Sequence, residues 1–560
     1  MNILGISDNH GSGAALVRNG RLVAAVNEER IDREKNSLAF PWGAIDEVLR
    51  MEGLAPRDID LVVVGSVFTP IFLLRLLRPF HQFIKRRASQ FGLLFDLYIY
   101  YQILVRNSRL LARIETLLTR ALFGRQFAKR GFACEIHLLD HHTAHAYSAF
   151  LTSPFERATV ITADAMGDGV SVTVGVGSEG RVERIWAQDG RSAFNPYYSR
   201  VTELLGFVPN RHEGKVTGLA AYGDAEVLRP DFERAAHFRG PGFNSFRFWH
   251  PGLKHYGFFG KIGHYSRELI AAGCQRNLEV QMGAFVDHWV RKTGVPDVVL
   301  AGGIFENVKL NQRIHELGVV RGVYIFPNMS DGGLGVGAAL AFGAKRPRPA
   351  ETMYLGPAYD RDRIERAAAA SGLVVERPDD LTGYVADLLA ARHVVARFDG
   401  AMEYGPRALG NRSILYRPDD ARVNDWLNER LRRTEFMPFA PVVRRERAAD
   451  CFVGVEGAEF TARFMNICFD CTDLMKRLCP GVVHVDGTAR PQILTRDENP
   501  AYYDLLLRFE EKTGLPALIN TSFNMHEEPI VMTPEDAVRA FVAARLPYLV
   551  LGHLVVKGIA

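Results

Sequence analysis

Apolar positions near the start of the chain fall into short runs broken by polar turns. Ile3–Ser7 reads as a strand, followed by the turn Asp8-Asn9-His10-Gly11-Ser12-Gly13. Ala14–Arg18 and Leu22–Asn27 then flank Asn19-Gly20, the residue pair that best closes a two-residue hairpin. The same plan recurs further along. Ala158–Ala163 is a strand, Asp164-Ala165-Met166-Gly167-Asp168-Gly169 a turn, and Val170–Val176 a second strand. Gly177–Gly180 is then a tight turn and Val182–Ala187 a third strand. Two copies of strand, acidic turn, strand, turn, strand predict a duplicated α/β half-domain.

Between the copies, residues 68–130 carry Leu, Phe and Arg at helical spacing with few Gly, which predicts an inserted helical hairpin serving as scaffold. Phe91–Val105 is the nearest approach to a membrane span. It holds Asp96 and falls short of the ~18–20 apolar residues a span needs, so a buried or amphipathic helix is expected, and no membrane partner. Pro and Arg cluster at Lys345-Arg346-Pro347-Arg348-Pro349, which reads as a boundary between domains 1–345 and 346–560. Beyond it, Arg361–Ser371 and Leu381–Ala391 are helical and Val394–Phe398 is a strand, the start of a second α/β domain.

Composition narrows the picture. A chain of 560 residues exceeds one core, and 47% apolar with 24% charged residues is ordinary for a soluble protein. A net charge of +4 leaves no reason to expect a nucleic-acid binder. Met1–Ile6 lacks the basic start and apolar run of a signal peptide, so a cytoplasmic location is expected. Six cysteines fit a reducing compartment, and Cys468 and Cys471 form a lone C-x-x-C in a strand-and-turn region.

The stretch Asp140-His141-His142-Thr143-Ala144-His145 reads as a helix start. His141 and His145 then share one face, a spacing at which two imidazoles grip one ion, while His142 points elsewhere. An open metal site needs carboxylates as well. Asp164 ends a strand, and Asp331 sits in a Gly-rich turn before a helix, so both are candidate ligands.

The repeated hairpins resemble the actin-like ATPase fold, in which two related halves close around a nucleotide. Leu300–Ile304 runs into Gly302-Gly303, where close backbone approach to a ligand favours Gly. Asn307 and Asn311 follow at helical spacing and can bond a ribose or base. The helix opened by Gly332-Gly333 can hold phosphate on its N-terminal amides. In the second domain, Glu403–Ser413 packs Arg407, Arg412 and Ser413 into one turn region, and Arg432 and Arg433 follow. His484–Gln492 and Asn520–Asn524 supply further polar loops. Arginine forks match phosphate and carbamoyl oxygens, so this domain reads as an anion site.

Asn27–Arg30, Asp140–His145, Glu213–Val216, Gly218–Gly223, Ala301–Asn311, Met402–Leu415, Pro438–Pro441, His484–Gln492 and Asn520–Asn524 together resemble the O-carbamoyltransferases of nodulation-factor and antibiotic biosynthesis. The resemblance implies two active sites. The C-terminal domain, similar to the threonylcarbamoyl-adenylate-forming fold, would join carbamoyl phosphate and ATP, with Mg2+, into carbamoyl-adenylate and release pyrophosphate. Arg407, Arg412, Ser413, His484 and Arg490 match its basic motifs. The N-terminal domain would pass the carbamoyl group to a hydroxylated small-molecule acceptor and release AMP. It would hold Fe2+, or another divalent metal, through His141, His145, Asp164 and Asp331. His10 and Lys35 match positions near the transfer site, His10 as a candidate base, and Lys35 or Lys215 would offset negative charge. A homodimer is compatible with the family. Asn36 and Met437 stand where the family usually carries His and Arg, and the stretch Asn524–Pro529, which here holds His526, usually contains Arg and Gly, which bears on the carbamoyl phosphate pocket. A tRNA-modifying transferase and a sugar kinase are the alternatives on related folds.

Overall fold

A computed structural model describes residues 1–86, 92–244, 257–431 and 436–558. It divides into two compact units, residues 1–28 with 36–350, and residues 29–35 with 351–560. One cut in the chain therefore does not separate them. The segment 29–35 is stitched into the second unit by Arg30 Nη2 to Gly405 O (2.9 Å) and by Arg33 Nη1 to Ile530 O (2.7 Å). Lys35 belongs to that segment. Arg432, Arg433 and Glu435 lie outside the described residues.

The first unit contains two five-stranded sheets of identical topology. Strands β1 (Asn2–Ser7), β2 (Gly13–Arg18), β3 (Arg21–Asn27), β4 (Leu61–Val64) and β5 (Glu135–Leu138) run in the order β3-β2-β1-β4-β5. Strands β6 (Arg157–Gly167), β7 (Val170–Ser178), β8 (Arg181–Asp189), β9 (Asp297–Ala301) and β10 (Gly322–Ile325) run β8-β7-β6-β9-β10. In each, three antiparallel strands lead into two parallel ones. This is the duplicated actin-like arrangement expected from the repeated hairpins. Asn19 and Gly20 take φ of 51° and 78°, the left-handed pair a two-residue hairpin requires. Two turns differ from expectation. The β7–β8 turn contracts to Glu179-Gly180, and β6 runs on to Gly167 through a register break after Ala163. A break of that kind re-aims side chains, and here it falls at Asp164.

The helices that follow the two sheets pack on each other and on opposite halves. His141–Thr152, which follows β5, lies against β6 and β9, while Leu334–Gly343, which follows β10, lies against β1 and β2. Their crossing is close because it is built from glycine. A Cβ on Gly337 would overlap the carbonyl oxygen of Ala144, and where the second helix meets β1 a Cβ on Gly5 would overlap the carbonyl oxygen of Gly335. Glycine inside a helix ordinarily costs about 1 kcal/mol relative to alanine. Gly337→Ala should nonetheless destabilise by about 2–4 kcal/mol, because the added methyl forces two fully packed helices apart. A thermal melt of the purified chain checks it, with a drop of about 5 °C or more expected.

The insertion folds as the helices Phe72–Leu76, Arg78–Arg86, Gly92–Asn107 and Arg109–Ala128. It is more than scaffold, since Arg75 and Arg78 reach the first acidic turn. In the second unit, eight strands form one sheet. They are β11 (Val374–Glu376), β12 (Val395–Phe398), β13 (Arg412–Tyr416), β14 (Ala440–Arg444), β15 (Gln492–Leu494), β16 (Ala517–Ser522), β17 (Tyr548–Leu551) and β18 (Leu554–Lys557), in the order β11-β18-β17-β12-β13-β16-β14-β15. Helices Leu381–Ala390 and Pro500–Thr513 cover it through a core that includes Leu389, Tyr502, Leu506 and Leu518. None of the six cysteines forms a disulfide, and Cys468 and Cys471 are buried beside a two-residue strand.

Candidate functional site

His141 and His145 open the helix after β5. Asp140 caps it, accepting from Thr143 N (2.9 Å), and Arg184 and Arg106 pair with Asp140 in turn. Asp168, from the β6–β7 turn, accepts from His141 N (3.0 Å), Val67 N (2.8 Å) and Phe68 N (2.9 Å), so it fixes the helix start against the first half. Burial and the neighbouring Asp140 raise its pKa. His142 points away, as its spacing predicts, bonding Thr162 Oγ1 (2.7 Å) and Val170 O (2.9 Å). Burial, then the two neighbouring histidines, depress it to about 3, so it is neutral.

The remaining two imidazoles converge on Asp164 and Asp331. His141 Nε2 lies 3.6 Å from Asp164 Oδ2 and 3.4 Å from Asp331 Oδ1, and His145 Nε2 lies 3.4 and 3.6 Å from the same atoms. One ligand atom from each of the four falls within a 4.8 Å span. Neither imidazole has a hydrogen-bond partner on either ring nitrogen, although both are fully buried. Orphaned buried polar atoms cost free energy unless something satisfies them. Four donors at ~2.1 Å from one tetrahedral ion would stand ~3.4 Å apart, close to the four imidazole–carboxylate distances. The donor set of two imidazoles and two carboxylates suits iron, zinc or manganese. The residues therefore fit a divalent metal.

Each carboxylate divides its oxygens between two tasks. Asp164 Oδ1 accepts from Ala165 N and Asp331 Oδ2 from Asn9 Nδ2 (3.1 Å), which leaves Asp164 Oδ2 and Asp331 Oδ1 facing the imidazoles. Burial alone would lower the His141 pKa, but Asp331 and Asp164 outweigh it and hold it well above the usual value. Burial would likewise raise Asp164, and the two histidines hold it well below the carboxylate range. The carboxylate side chains are 14% exposed and the imidazoles 1% or less, so the cluster opens on its carboxylate side.

The first acidic turn has diverged from its copy. Asp8, the counterpart of Asp164, is buried and pairs with two arginines. Arg75 grips both its oxygens at 3.0 Å and Arg78 adds a third bond at 2.8 Å. His10 stays half-buried on that turn. Asn27 Nδ2 bonds Gly11 O and Gly332 O, and Asn328 bonds Asn27, which ties the Gly332-Gly333 turn to the first copy. Gly302, at φ 108°, lies against Ala163, one residue before Asp164. Asn307 caps its helix through Leu310 N and bonds Gln275 and Thr217, so its side chain is occupied within the unit. Asn311 is buried and donates to Phe305 O (2.7 Å). Lys215 is buried on the helix Glu213–Leu219, 6.0 Å above the Phe207 ring.

In the second unit the predicted loops meet. Glu403 Oε1 accepts from Leu409 N (2.8 Å), Asn411 N (2.7 Å) and Arg412 N (3.0 Å), and Ser413 Oγ accepts from Gly410 N (2.9 Å). Gln492 donates to Leu409 O (2.8 Å), and Asn520 to Ala408 O (3.3 Å) and Gln492 Oε1 (2.7 Å). Leu409 stands two residues beyond Arg407 and Gln492 two beyond Arg490, so the two arginine segments adjoin. Both arginines are half-buried. His484 is buried, 3.4 Å from Asp486 Oδ1. Arg412 differs from the anion contact its motif suggests. It is fully buried, and its Nη atoms donate to Asp399, Asn411, Pro357 and Gly400 carbonyls over the Phe398 ring. Arg397, unremarked in the sequence, bonds Gly410 O (2.7 Å) and Asn411 Oδ1 (2.9 Å). A lone arginine inside the apolar strand β12 was its only sequence signal.

Residues 2–340 match the family model for the carbamoyltransferase N-terminus, and residues 386–558 that for the carbamoyltransferase C-terminus. Nodulation protein NolNO of Sinorhizobium fredii is 32% identical over 98% of this chain and 79% of its own length. An uncharacterized protein of Methanocaldococcus jannaschii is 28% identical over the full length of both. Nodulation protein U of Rhizobium tropici is 26% identical over 94% of this chain and 91% of its own. The solved structure of T. kodakarensis HypF overlaps at a TM-score of 0.34 and 12% identity, over 61% of this chain and 48% of that one. With both halves matched in one chain, this protein belongs to the carbamoyltransferase family and is an enzyme of that kind.

Proposed function

We propose that this carbamoyltransferase is ATP-dependent, works in two steps, and delivers the carbamoyl group to a hydroxyl of a sugar or other natural product. The observation that carries the reading is the buried cluster of His141, His145, Asp164 and Asp331, whose unpartnered imidazoles suit a metal. A bound divalent metal would supply Lewis-acid polarisation of a carbonyl or phosphoryl oxygen. The chain's own residues do the rest. Asn9 and the Ala165 amide aim the carboxylates, Asp168 and Asp140 hold the histidine helix, and His10 is the candidate base for the acceptor hydroxyl.

Activation is assigned to the second unit. Carbamate is a poor electrophile until it carries a good leaving group. Carbamoyl phosphate loses its phosphate to water, the carbamate oxygen attacks the α-phosphorus of ATP, and pyrophosphate leaves. The product is carbamoyl-adenylate. Arg407 and Arg490 would bind the phosphates, on loops held by Glu403, Gln492 and Asn520. The acceptor oxygen then displaces AMP from the carbamoyl carbon. Incubation with ATP, Mg2+ and carbamoyl phosphate should release pyrophosphate, with AMP following only when a hydroxylated acceptor is added. Release of ADP without dependence on carbamoyl phosphate would instead mark a kinase and sink this reading.

A further inference from the structure

The inserted helices bury one apolar face and leave another in solvent. On Arg109–Ala128, Phe123 and Phe127 pack against Phe40 and Trp42. Leu110, Ile114, Leu117 and Leu118 recur at the spacing of a second stripe, and all four are exposed. The partner helix Gly92–Asn107 repeats the pattern with exposed Leu97, Tyr100 and Leu104. Phe72–Leu76, which also contacts Arg109–Ala128, exposes Leu73 and Leu76. Half of the exposed large hydrophobics among the described residues belong to this one insertion. Scattered exposed apolar residues are ordinary, but a collected set of this size marks an interaction surface.

Charge decides what covers it. Residues 71–130 hold twelve Lys and Arg against two acids, Asp96 and Glu115, a formal +10. The whole chain is +4, so everything else is net −6. Glu115 is buried and accepts from Phe72 N and Tyr101 Oη, so it offers the surface no negative charge. Arg109, Arg113, Arg120, Arg125 and Lys129 are exposed, and among the described residues none of them forms an ion pair. A second copy of this chain would set such a face against its own like charge. An apolar stripe flanked by unpaired cations fits an anionic bilayer, where leucines enter the acyl boundary and arginines meet phosphate headgroups.

We propose that the helical insertion is a peripheral docking surface for an anionic lipid membrane. The full chain should co-sediment with phosphatidylglycerol-containing vesicles, much less with pure phosphatidylcholine, and less again at high salt. Leu110 and Leu117 are 69% and 66% exposed, so polar replacements there spare the core. The pair Leu110→Gln/Leu117→Gln should lower vesicle partitioning by about tenfold or more with the melting temperature unchanged. Arg109→Gln/Arg113→Gln should lower it about tenfold at low salt only. Absence of vesicle binding, or equal binding to both lipids, overturns the proposal. So does a stable dimer, or a dimer with another protein, that Leu110→Gln/Leu117→Gln dissolves while lipid binding is unaffected. The readout does not depend on carbamoyl transfer.

Discussion

The His141→Ala protein is expected to lose the divalent metal proposed for the cluster and to transfer carbamoyl groups more than about 100-fold more slowly, while still releasing pyrophosphate from ATP and carbamoyl phosphate. Removing a residue that merely supports a metal ligand costs about 10–100-fold in affinity or activity, so removing a ligand should cost more. The cluster leaves no substitute, because the nearest imidazole, His142, is committed to Thr162 and Val170. Metal content measured by plasma mass spectrometry, set beside separate assays of pyrophosphate and of carbamoylated product, checks the result. A rival account treats the four residues as an ion-paired core with no metal. On that account the wild-type protein contains no stoichiometric metal, chelators leave transfer intact, and His141→Ala loses stability alone. His142→Ala is the matching control. It should disturb folding by removing two buried hydrogen bonds, about 1–3 kcal/mol for the groups left unpaired, yet keep the metal in whatever folds.

Local pattern carried the first unit far. Alternation and Asn19-Gly20 marked the first hairpin, and its repetition marked the duplication. Helical spacing placed His141 and His145 on one face, because i and i+4 face together in any helix. What the pattern could not carry were partners distant in the chain. Nothing local says that Asn9 would hold Asp331, 322 positions away, or that Arg75 would bind Asp8. Nor does periodicity say which sheet a helix covers, so the exchange of helices between the halves stayed hidden. Residues 29–35 lie early in the sequence, yet two arginines tie them to the second unit. Arg412 shows the same limit in chemistry. Its Gly-flanked motif suggests an anion fork, while burial sends its donors to backbone carbonyls and pushes its pKa down to about 10.

That difference between two arginines five positions apart supports a sharper expectation. Arg407→Ala should fold normally and lose about 10²–10³-fold in pyrophosphate release, the usual cost of removing one aligned donor from a developing charge. Arg407→Lys should recover only part, because a point charge cannot reproduce a bidentate fork. Arg412→Ala should instead fail in the melt. It empties a fully buried site and removes four hydrogen bonds, to the buried carbonyls of Asn411 and Pro357 and the less buried ones of Asp399 and Gly400, with a cost beyond about 3 kcal/mol. The loop itself supplies the reason for the split. Glu403 gathers three amides of Leu409–Arg412 on one oxygen, while Gln492 and Asn520 hold the carbonyls on its other side. A loop held by these backbone bonds should keep its shape when the half-buried Arg407 is replaced, but not when the fully buried Arg412 is removed. If Arg407→Ala keeps full pyrophosphate release while His141→Ala abolishes it, activation belongs to the metal cluster and the two-site division is wrong.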